Sequence, residues 1–181
     1  MLFPNLSQTW NIVILITLGL LAIYLLGFGF VLFLVCSYSS KMKKDNRAIR
    51  VAMSTKLDIL RKCQGVMEST KIKMSEECYK KLRYLDTEDF LQVQTEDFDN
   101  SRADLAFVEN EIRGYVTTKR KLLKNEDAEI LRLLLNDIND ALKTSIVNYN
   151  TDLLGYNYWV KYPLYRWIFK IFKVHTYKFI Y

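Results

Sequence analysis

The first 40 residues of this sequence contain no charged side chain, and the first charged residue is Lys41. Within this uncharged region, residues 11–36 form an apolar run with Trp10 at one edge and Tyr38 just beyond the other. A helix of about 20 apolar residues crosses the hydrocarbon core of a bilayer, and Trp and Tyr rings favour its interfaces. The sequence therefore predicts a membrane anchor at residues 1–40, with a transmembrane helix at about 11–36.

A cleaved signal peptide is the alternative interpretation of the same run. A signal peptide has a basic start, a shorter apolar core and a cleavage site of small residues. Here no Lys or Arg precedes the run, the run is longer than such a core, and no Ala-x-Ala follows it. These features favour a retained anchor.

The flank that follows the run is basic, since residues 41–50 carry five Lys or Arg residues against Asp45 alone. Cytoplasmic flanks of transmembrane helices collect Lys and Arg. We therefore expect a single-pass protein of the cell membrane, with its N-terminus outside and the rest of the chain in the cytoplasm. The three cysteines form no close pair, which agrees with a reducing compartment.

Residues that catalyse reactions or bind metals are also scarce. The one histidine, His175, excludes a histidine-based triad and a multi-histidine metal site within a single chain. The six glycines form no phosphate-binding loop, and no base is expected near Cys63 or Cys78 to make either thiol a nucleophile. We therefore expect no enzymatic activity, no cofactor and no metal site.

An acidic stretch at residues 86–101 raises the possibility of a calcium loop, because "TEDF" occurs in it twice, at 87–90 and 95–98. A calcium-binding EF-hand loop requires a glycine at its sixth position and a glutamate at its twelfth, and this stretch lacks that pattern. Thr, Ser and Asp residues also begin helices. The stretch is therefore predicted to be a connector between helices.

The net charge of +6 is unevenly distributed along the chain. Residues 41–62 hold eight basic and two acidic side chains, and residues 158–181 hold five basic side chains and no acid. Residues 63–157 hold 13 basic and 18 acidic side chains. A nucleic-acid-binding domain would carry a basic patch on its folded part. The observed pattern instead favours an acidic domain held against the anionic surface of a lipid bilayer.

Apolar residues recur at helical spacing through the rest of the chain and predict an all-α fold without strands. One long helix is expected over 41–86, either separate from the anchor helix or continuous with it, and two more at about 101–124 and at about 126–153 or beyond. The predicted inward-facing residues are Ile49, Met53, Leu57, Leu60, Cys63, Met67, Met74, Cys78, Leu105, Val108, Ile112, Tyr115, Leu122, Leu131, Leu134, Ile138, Leu142, Ile146 and Tyr149. Long helices with short polar connections favour an antiparallel bundle, here residues 41–157. The methionine stripe is interpreted as its core rather than as a partner-binding surface.

Two Tyr-Asn pairs lie seven residues apart near the end of the bundle, at Tyr149-Asn150 and Tyr156-Asn157, and Tyr162-Pro163 follows. A seven-residue step returns a side chain to nearly the same face of a helix. The pairs are therefore predicted to stack on one face and to hold the last helix in register, with each asparagine bridging to a neighbouring helix. Pro163 is predicted to end that helix, because proline disfavours the helical conformation of the preceding residue.

This pattern resembles the C-terminal signature of the bacterial LemA family, in which two Tyr-Asn pairs are followed by an aromatic-Pro pair at the same spacing. "KLDIL" at 56–60 is similar to a second element of that family, although Arg61 and Lys62 replace its usual Pro and Asn. Asn139 and Ile146 stand where the family shows a glutamate and an arginine. The resemblance implies an N-terminal transmembrane helix followed by a bundle of long helices, and it implies no catalytic residues.

The last segment, residues 158–181, is rich in aromatic and basic residues, and we call it the tail. A helical projection places Arg166, Lys170 and Lys173 on one side, and Leu164, Trp167, Ile168, Ile171 and Phe172 on the other. A helix with this pattern lies in the membrane interface. The predicted membrane contacts are Arg166, Trp167, Lys170, Phe172 and Lys173. The alternative is a tail packed on the bundle.

These features predict a membrane-anchored helical scaffold or adaptor that binds the bilayer and a protein partner or a second copy of itself. One alternative is an accessory subunit of a membrane, envelope-assembly or secretion complex, which would pair with another chain through a coiled coil of its long helix. Another is a membrane-bound enzyme acting on lipid through a pocket lined by the tail. No nucleic-acid partner is expected.

Overall fold

The computed structural model describes residues 8–87, 90, 98–118 and 126–180. These residues form five helices and no strand, which confirms the all-α prediction. The helices are α1 (Gln8–Ser69), α2 (Glu76–Leu85), α3 (Phe98–Thr118), α4 (Glu126–Val160) and α5 (Arg166–Ile171). Most of the duplicated "TEDF" stretch, together with Leu122, lies outside the described residues.

Helix α1 runs without interruption for 62 residues, from the apolar run into the basic region, so the helix after the anchor is continuous with it. By length and composition, it is the one helix in the described part of the chain that could cross a membrane. Most side chains of its apolar run are exposed; Leu26, for example, is 75% exposed. A helix that is apolar all round needs an apolar environment, and the chain itself leaves most of these side chains uncovered.

The prediction of a single helix over residues 41–86 is wrong, because the chain turns at residues 70–75. Lys71 adopts a left-handed conformation with φ of 61°, and the Ile72 amide donates to the Met67 carbonyl at 2.9 Å, which together end α1. Ser75 then caps α2 by accepting a hydrogen bond from the Cys78 amide at 3.1 Å. The seven-residue stripe hid this turn because Met67 and Met74, on its two sides, are both buried.

The chain divides into two compact units. One unit comprises Met42–Thr151 with Phe179–Tyr181. In it, the Tyr79 hydroxyl of α2 donates a hydrogen bond to Glu68 of α1. Arg61 of α1 donates one to Asp86, the residue after α2, so α1 and α2 run in opposite directions. In the same way, Ser75 and Lys81 bond to Glu111 and Asp104, which makes α2 and α3 antiparallel. Pairs between Arg113 and Asn136 and between Glu109 and Asn139 make α3 and α4 antiparallel.

The core of this unit contains most of the residues predicted from periodicity. The buried members of that set are Ile49, Met53, Leu57, Leu60, Cys63, Met67, Met74, Cys78, Leu105, Val108, Ile112, Leu131, Leu142 and Tyr149. Leu134 is a wrong prediction: it is 43% exposed, and Leu135 is buried instead. Leu131 and Leu135 lie one turn apart on the inward side of α4, whereas Leu134 points away from it.

The other unit comprises Met1–Lys41 and Asp152–Lys178. In this unit the end of α4 lies against α1 at Gly155, where a Cβ atom would come within 2.7 Å of the Tyr38 ring. The absence of a side chain at Gly155 therefore permits the close approach of the two helices. Val31 and Val35 of α1 and Leu153, Tyr156 and Val160 of α4 are buried.

Candidate functional site

The two predicted asparagines bind the backbone of the tail. Asn150 exchanges two hydrogen bonds with Ile180: its Nδ2 donates to the carbonyl oxygen at 2.7 Å, and its Oδ1 accepts from the amide at 3.1 Å. Asn157 Nδ2 donates to the carbonyl oxygen of Tyr177 at 3.4 Å. The expected bridge from asparagine to a neighbouring helix is therefore wrong, because the partner is the non-helical end of the chain.

The tyrosines of the two pairs are buried on the inner side of α4. Tyr156 donates its hydroxyl proton to the carbonyl oxygen of His175 at 3.1 Å, and its ring meets that of Tyr177 edge-on with centroids 5.3 Å apart. Tyr149 is 3% exposed. Each tyrosine thus combines a buried ring with a neighbouring asparagine that recognises backbone.

Pro163 ends the helix as predicted, since α4 stops at Val160. The Tyr165 amide donates to the Tyr162 carbonyl at 3.1 Å, which closes a tight turn with proline in its second position. This turn directs the tail back along α1.

The tail packs on the apolar run of α1 through two aromatic rings, Tyr165 and Phe169, which are both buried. The Tyr165 ring lies 5.2 Å from that of Tyr24 and 5.5 Å from that of Phe28, and Phe169 lies 6.0 Å from Phe28, all between centroids. Gly27 admits the Tyr165 hydroxyl, which would overlap a Cβ atom there. The sequence pattern predicted a role for neither Tyr165 nor Phe169. A helical projection separates polar from apolar side chains but does not identify the surface against which a side chain packs.

All five predicted membrane contacts of the tail are exposed, namely Arg166, Trp167, Lys170, Phe172 and Lys173. Helix α5 has only six residues, so the tail is not the longer amphipathic helix that the projection assumed. The tail is nevertheless two-sided: one side holds the buried rings against α1, and the other displays Trp167, Ile171 and Phe172 beside the basic residues. The buried side agrees with the alternative of a packed tail, and membrane contact of the exposed side stays a prediction.

A second exposed apolar surface lies on α4, on the side away from its core. Ile130, Leu133 and Leu134 are 55%, 51% and 43% exposed. On a helical projection they share an arc of about 140° with four exposed acids. These acids are Glu126, Asp127, Asp137 and Asp140. We call these seven residues the outer face of α4. No Lys or Arg of residues 126–141 falls in this arc, and the sequence reading missed the surface because it assigned Leu134 to the core.

A buried ion pair links α1, α3 and α4. Lys56 and Glu109 are each 6% exposed, and the Lys56 Nζ lies 2.5 Å from Glu109 Oε2. Glu109 Oε1 also accepts hydrogen bonds from Arg113 Nε and Asn139 Nδ2, both at 2.6 Å. Arg113 in turn donates to Asn136 Oδ1 at 2.8 Å.

The pKa of the Glu109 carboxyl reflects this environment. Burial raises it, but the bonds from Lys56, Arg113 and Asn139 outweigh burial and hold the pKa below its ordinary value of 4.5. The sequence contained a signal for this pair. Lys56 lies three residues after Met53 and one before Leu57, and Glu109 follows Val108, so both charges occupy core positions of the apolar pattern.

The two cysteines of this unit are buried. Burial raises the pKa of Cys63 to about 11 and that of Cys78 to about 12, so neither thiolate is populated at neutral pH. This disfavours a nucleophilic role for either thiol.

In the described residues, no group of His, Cys, Asp and Glu side chains is placed to hold a metal ion. No family model, no curated protein and no solved structure matches this chain.

Proposed function

We propose that this protein is a single-pass, membrane-anchored adaptor without catalytic activity, and that it binds a basic amphipathic helix of a partner protein through the outer face of α4. The observation that carries the proposal is the exposure of Ile130, Leu133 and Leu134 opposite the core. Contiguous exposed apolar side chains mark interaction surfaces, and acids around them select a basic partner. A second copy would place acid against acid, so a different protein is the better occupant.

The anchor is proposed to enter the membrane with its N-terminus outside, because the basic flank at 41–50 favours the cytoplasmic side. The tail supports a position for the inner boundary of the hydrocarbon core. Arg166 and Lys170 lie on the same short helix as Phe169, which packs on Phe28. Charged side chains are costly inside the hydrocarbon core. We therefore propose that this boundary lies near Phe28, before the end of the predicted span 11–36, which leaves about 27 Å of helix from Trp10, close to the thickness of the core.

The resemblance to LemA proteins supports the same layout of an anchor and a helical bundle, and membership of that family stays a prediction. The alternative of a subunit that pairs through its long helix has less support, because the stripe from Ile49 to Met67 is buried within its own unit. The outer face of α4 remains exposed, which favours an adaptor role.

The adaptor role is tested by crosslinking in native membranes. A photoreactive residue replaces Ala141, which is exposed at the edge of the outer face. We expect a crosslinked product of defined mass, whose crosslinked segment on the partner is a helix rich in Lys and Arg. The triple variant I130S/L133S/L134S should reduce its yield at least tenfold, and high salt should also reduce it because exposed charges are screened.

The matched control is Val147→Ser, because Val147 is equally exposed on α4 but lies outside the outer face. It should leave the yield unchanged. Equal yields from the triple variant and the control would refute the assignment, as would a product that consists of two copies of this chain.

The interface position of the tail is tested by fluorescence quenching. Trp10 and Trp159 are replaced by Phe, which leaves Trp167 as the one fluorescent tryptophan of the full chain. In vesicles containing anionic lipid, lipids brominated near the headgroup should quench Trp167 more strongly than lipids brominated near the chain ends. A variant that retains Trp10 alone serves as the reference for the opposite interface. Absence of quenching by any lipid would place the tail in water and reject the contact.

A further inference from the structure

A cavity of about 280 Å³ opens between α1, α3 and α4 in the unit formed by Met42–Thr151. Its polar lining is cationic or neutral: Lys56, Arg102, Asn139 and Lys143 face it, and no acidic side chain does among the residues that the structure describes. Leu105 and Leu142 contribute an apolar wall. Its volume is close to the lower end of small-molecule sites, which is about 300 Å³. The lining thus combines positive charge with an apolar surface.

Arg102 is the most informative residue of the cavity. Its Nη1 atom is shielded from solvent and has no hydrogen-bond partner. The nearest carboxylate oxygen, Asp99 Oδ1, is 3.9 Å away, which is too far for a hydrogen bond. Burial lowers the pKa of the Arg102 guanidinium, consistent with a poorly compensated charge. Because Nη1 is shielded, an anion would reach the part of the side chain that stays exposed, since the Arg102 side chain as a whole is 24% exposed, and a guanidinium without a close acceptor favours an anion that supplies one.

The neighbouring charges do not supply that acceptor. Glu109 is the nearby acid, and its two oxygens already accept from Lys56, Arg113 and Asn139. Lys143 is exposed at the edge of the cavity and makes no ion pair within the part of the chain that the structure describes. An anion in the cavity would therefore have Arg102 and Lys143 in the lining as cationic partners, whereas Lys56 is already paired with Glu109.

We propose that this cavity binds a phosphate group carried on an apolar body. A guanidinium recognises phosphate oxygens through paired hydrogen bonds, and a lysine contributes a second positive charge. The apolar wall at Leu105 and Leu142 accommodates the attached group. A soluble phosphate monoester and the headgroup of an anionic phospholipid share this chemistry. The site is separate from the outer face of α4 and does not depend on the adaptor proposal.

The test uses the full chain in nanodiscs of neutral lipid, with phenyl phosphate as the probe and phenol as its uncharged counterpart. Calorimetric titration should detect binding of phenyl phosphate and none of phenol. Arg102→Met should weaken the binding at least tenfold, and Lys143→Gln about fivefold. Arg132→Gln is the matched control, because Arg132 pairs with Glu129 away from the cavity and should leave the affinity unchanged.

One further variant and one competition with lipid complete the experiment. Ala106→Phe places a ring at an exposed lining position without removing any charge, and it should abolish binding while the helical circular dichroism is retained. If Arg102→Met fails to fold, Lys143→Gln and Ala106→Phe decide the outcome. Nanodiscs containing phosphatidic acid should compete with phenyl phosphate if the natural ligand is a lipid, and should not compete if it is soluble. Equal affinity of wild type, Lys143→Gln and Ala106→Phe would overturn the proposal.

Discussion

Replacing Glu109 with leucine is expected to lower the free energy of unfolding by about 3–5 kcal/mol, because it leaves the buried Lys56 ammonium without its counter-charge. Lys56 is 6% exposed and lies 2.5 Å from the carboxylate, so water cannot readily replace the lost partner. Arg113 and Asn139 lose an acceptor at the same time. The measurement is urea unfolding of the full chain in detergent micelles, followed by circular dichroism.

The double variant K56M/E109L is the control for this prediction. It removes both charges and replaces them with apolar side chains of similar length, which is often neutral or stabilising at buried ion pairs. We expect it to regain most of the stability that Glu109→Leu loses. If the free energy of unfolding of Glu109→Leu lies within about 1 kcal/mol of the wild-type value, the pair is not buried, because an exposed ion pair contributes no more than that.

The same carboxyl predicts a dependence of stability on pH. Although burial alone raises its pKa, its bonds to Lys56, Arg113 and Asn139 hold the folded-state pKa below 4.5. Its contribution is therefore fully present above the unfolded-state pKa and is lost as pH falls through the folded-state pKa. Wild type should lose stability below about pH 4.5, and the double variant K56M/E109L should lose less. Parallel pH profiles for the two proteins would show that Glu109 does not carry this effect.

Replacing Phe169 with alanine is expected to release the tail from α1. The Phe169 ring is 3% exposed and packs on Phe28, and truncation of a buried phenylalanine costs about 3–5 kcal/mol. Because the tail is a short segment that packs on α1 through two rings, the loss should appear as local opening rather than global unfolding. The open fraction should rise on the order of 10²–10⁴-fold, as measured in micelles by the rate of trypsin cleavage after Arg166, Lys170 and Lys173.

Phe172→Ala is the matched control, because Phe172 has the same side chain three residues further along and is 73% exposed. It should leave the cleavage rate within about twofold of wild type, as expected for an exposed position. Equal acceleration by Phe169→Ala and Phe172→Ala would contradict the packing of the tail on α1, since only one of the two rings touches it.

The sequence by itself determined the features that depend on local periodicity and composition. The charge-free run at 11–36 predicted the apolar part of α1, and the stripe through Ile49, Met53 and Met67 predicted the buried face. Pro163 predicted the end of α4. These features follow from helical repeat, side-chain polarity and backbone restriction, which are properties of neighbouring residues.

Tertiary structure alone decided which groups meet across the chain. The turn at 70–75 escaped prediction because the apolar stripe continues through it and no glycine or proline marks it. The Tyr-Asn pairs lie on the last long helix, as the sequence predicted. Their hydrogen-bond partners are 19–30 residues away, in the backbone of His175, Tyr177 and Ile180. Periodicity describes one face of one helix and carries no information about what approaches it.

The candidate sites show the same division. The apolar pattern of the sequence identifies the positions of Lys56 and Glu109 as core positions. Only the packing of α1 against α3 shows that each charge neutralises the other. The outer face of α4 became visible once Leu134 was found outside the core. The unsatisfied Arg102 nitrogen depends on the distance to Asp99 and on burial by other helices. Charge compensation is a sum over spatial neighbours, and the sequence specifies those neighbours only through the fold.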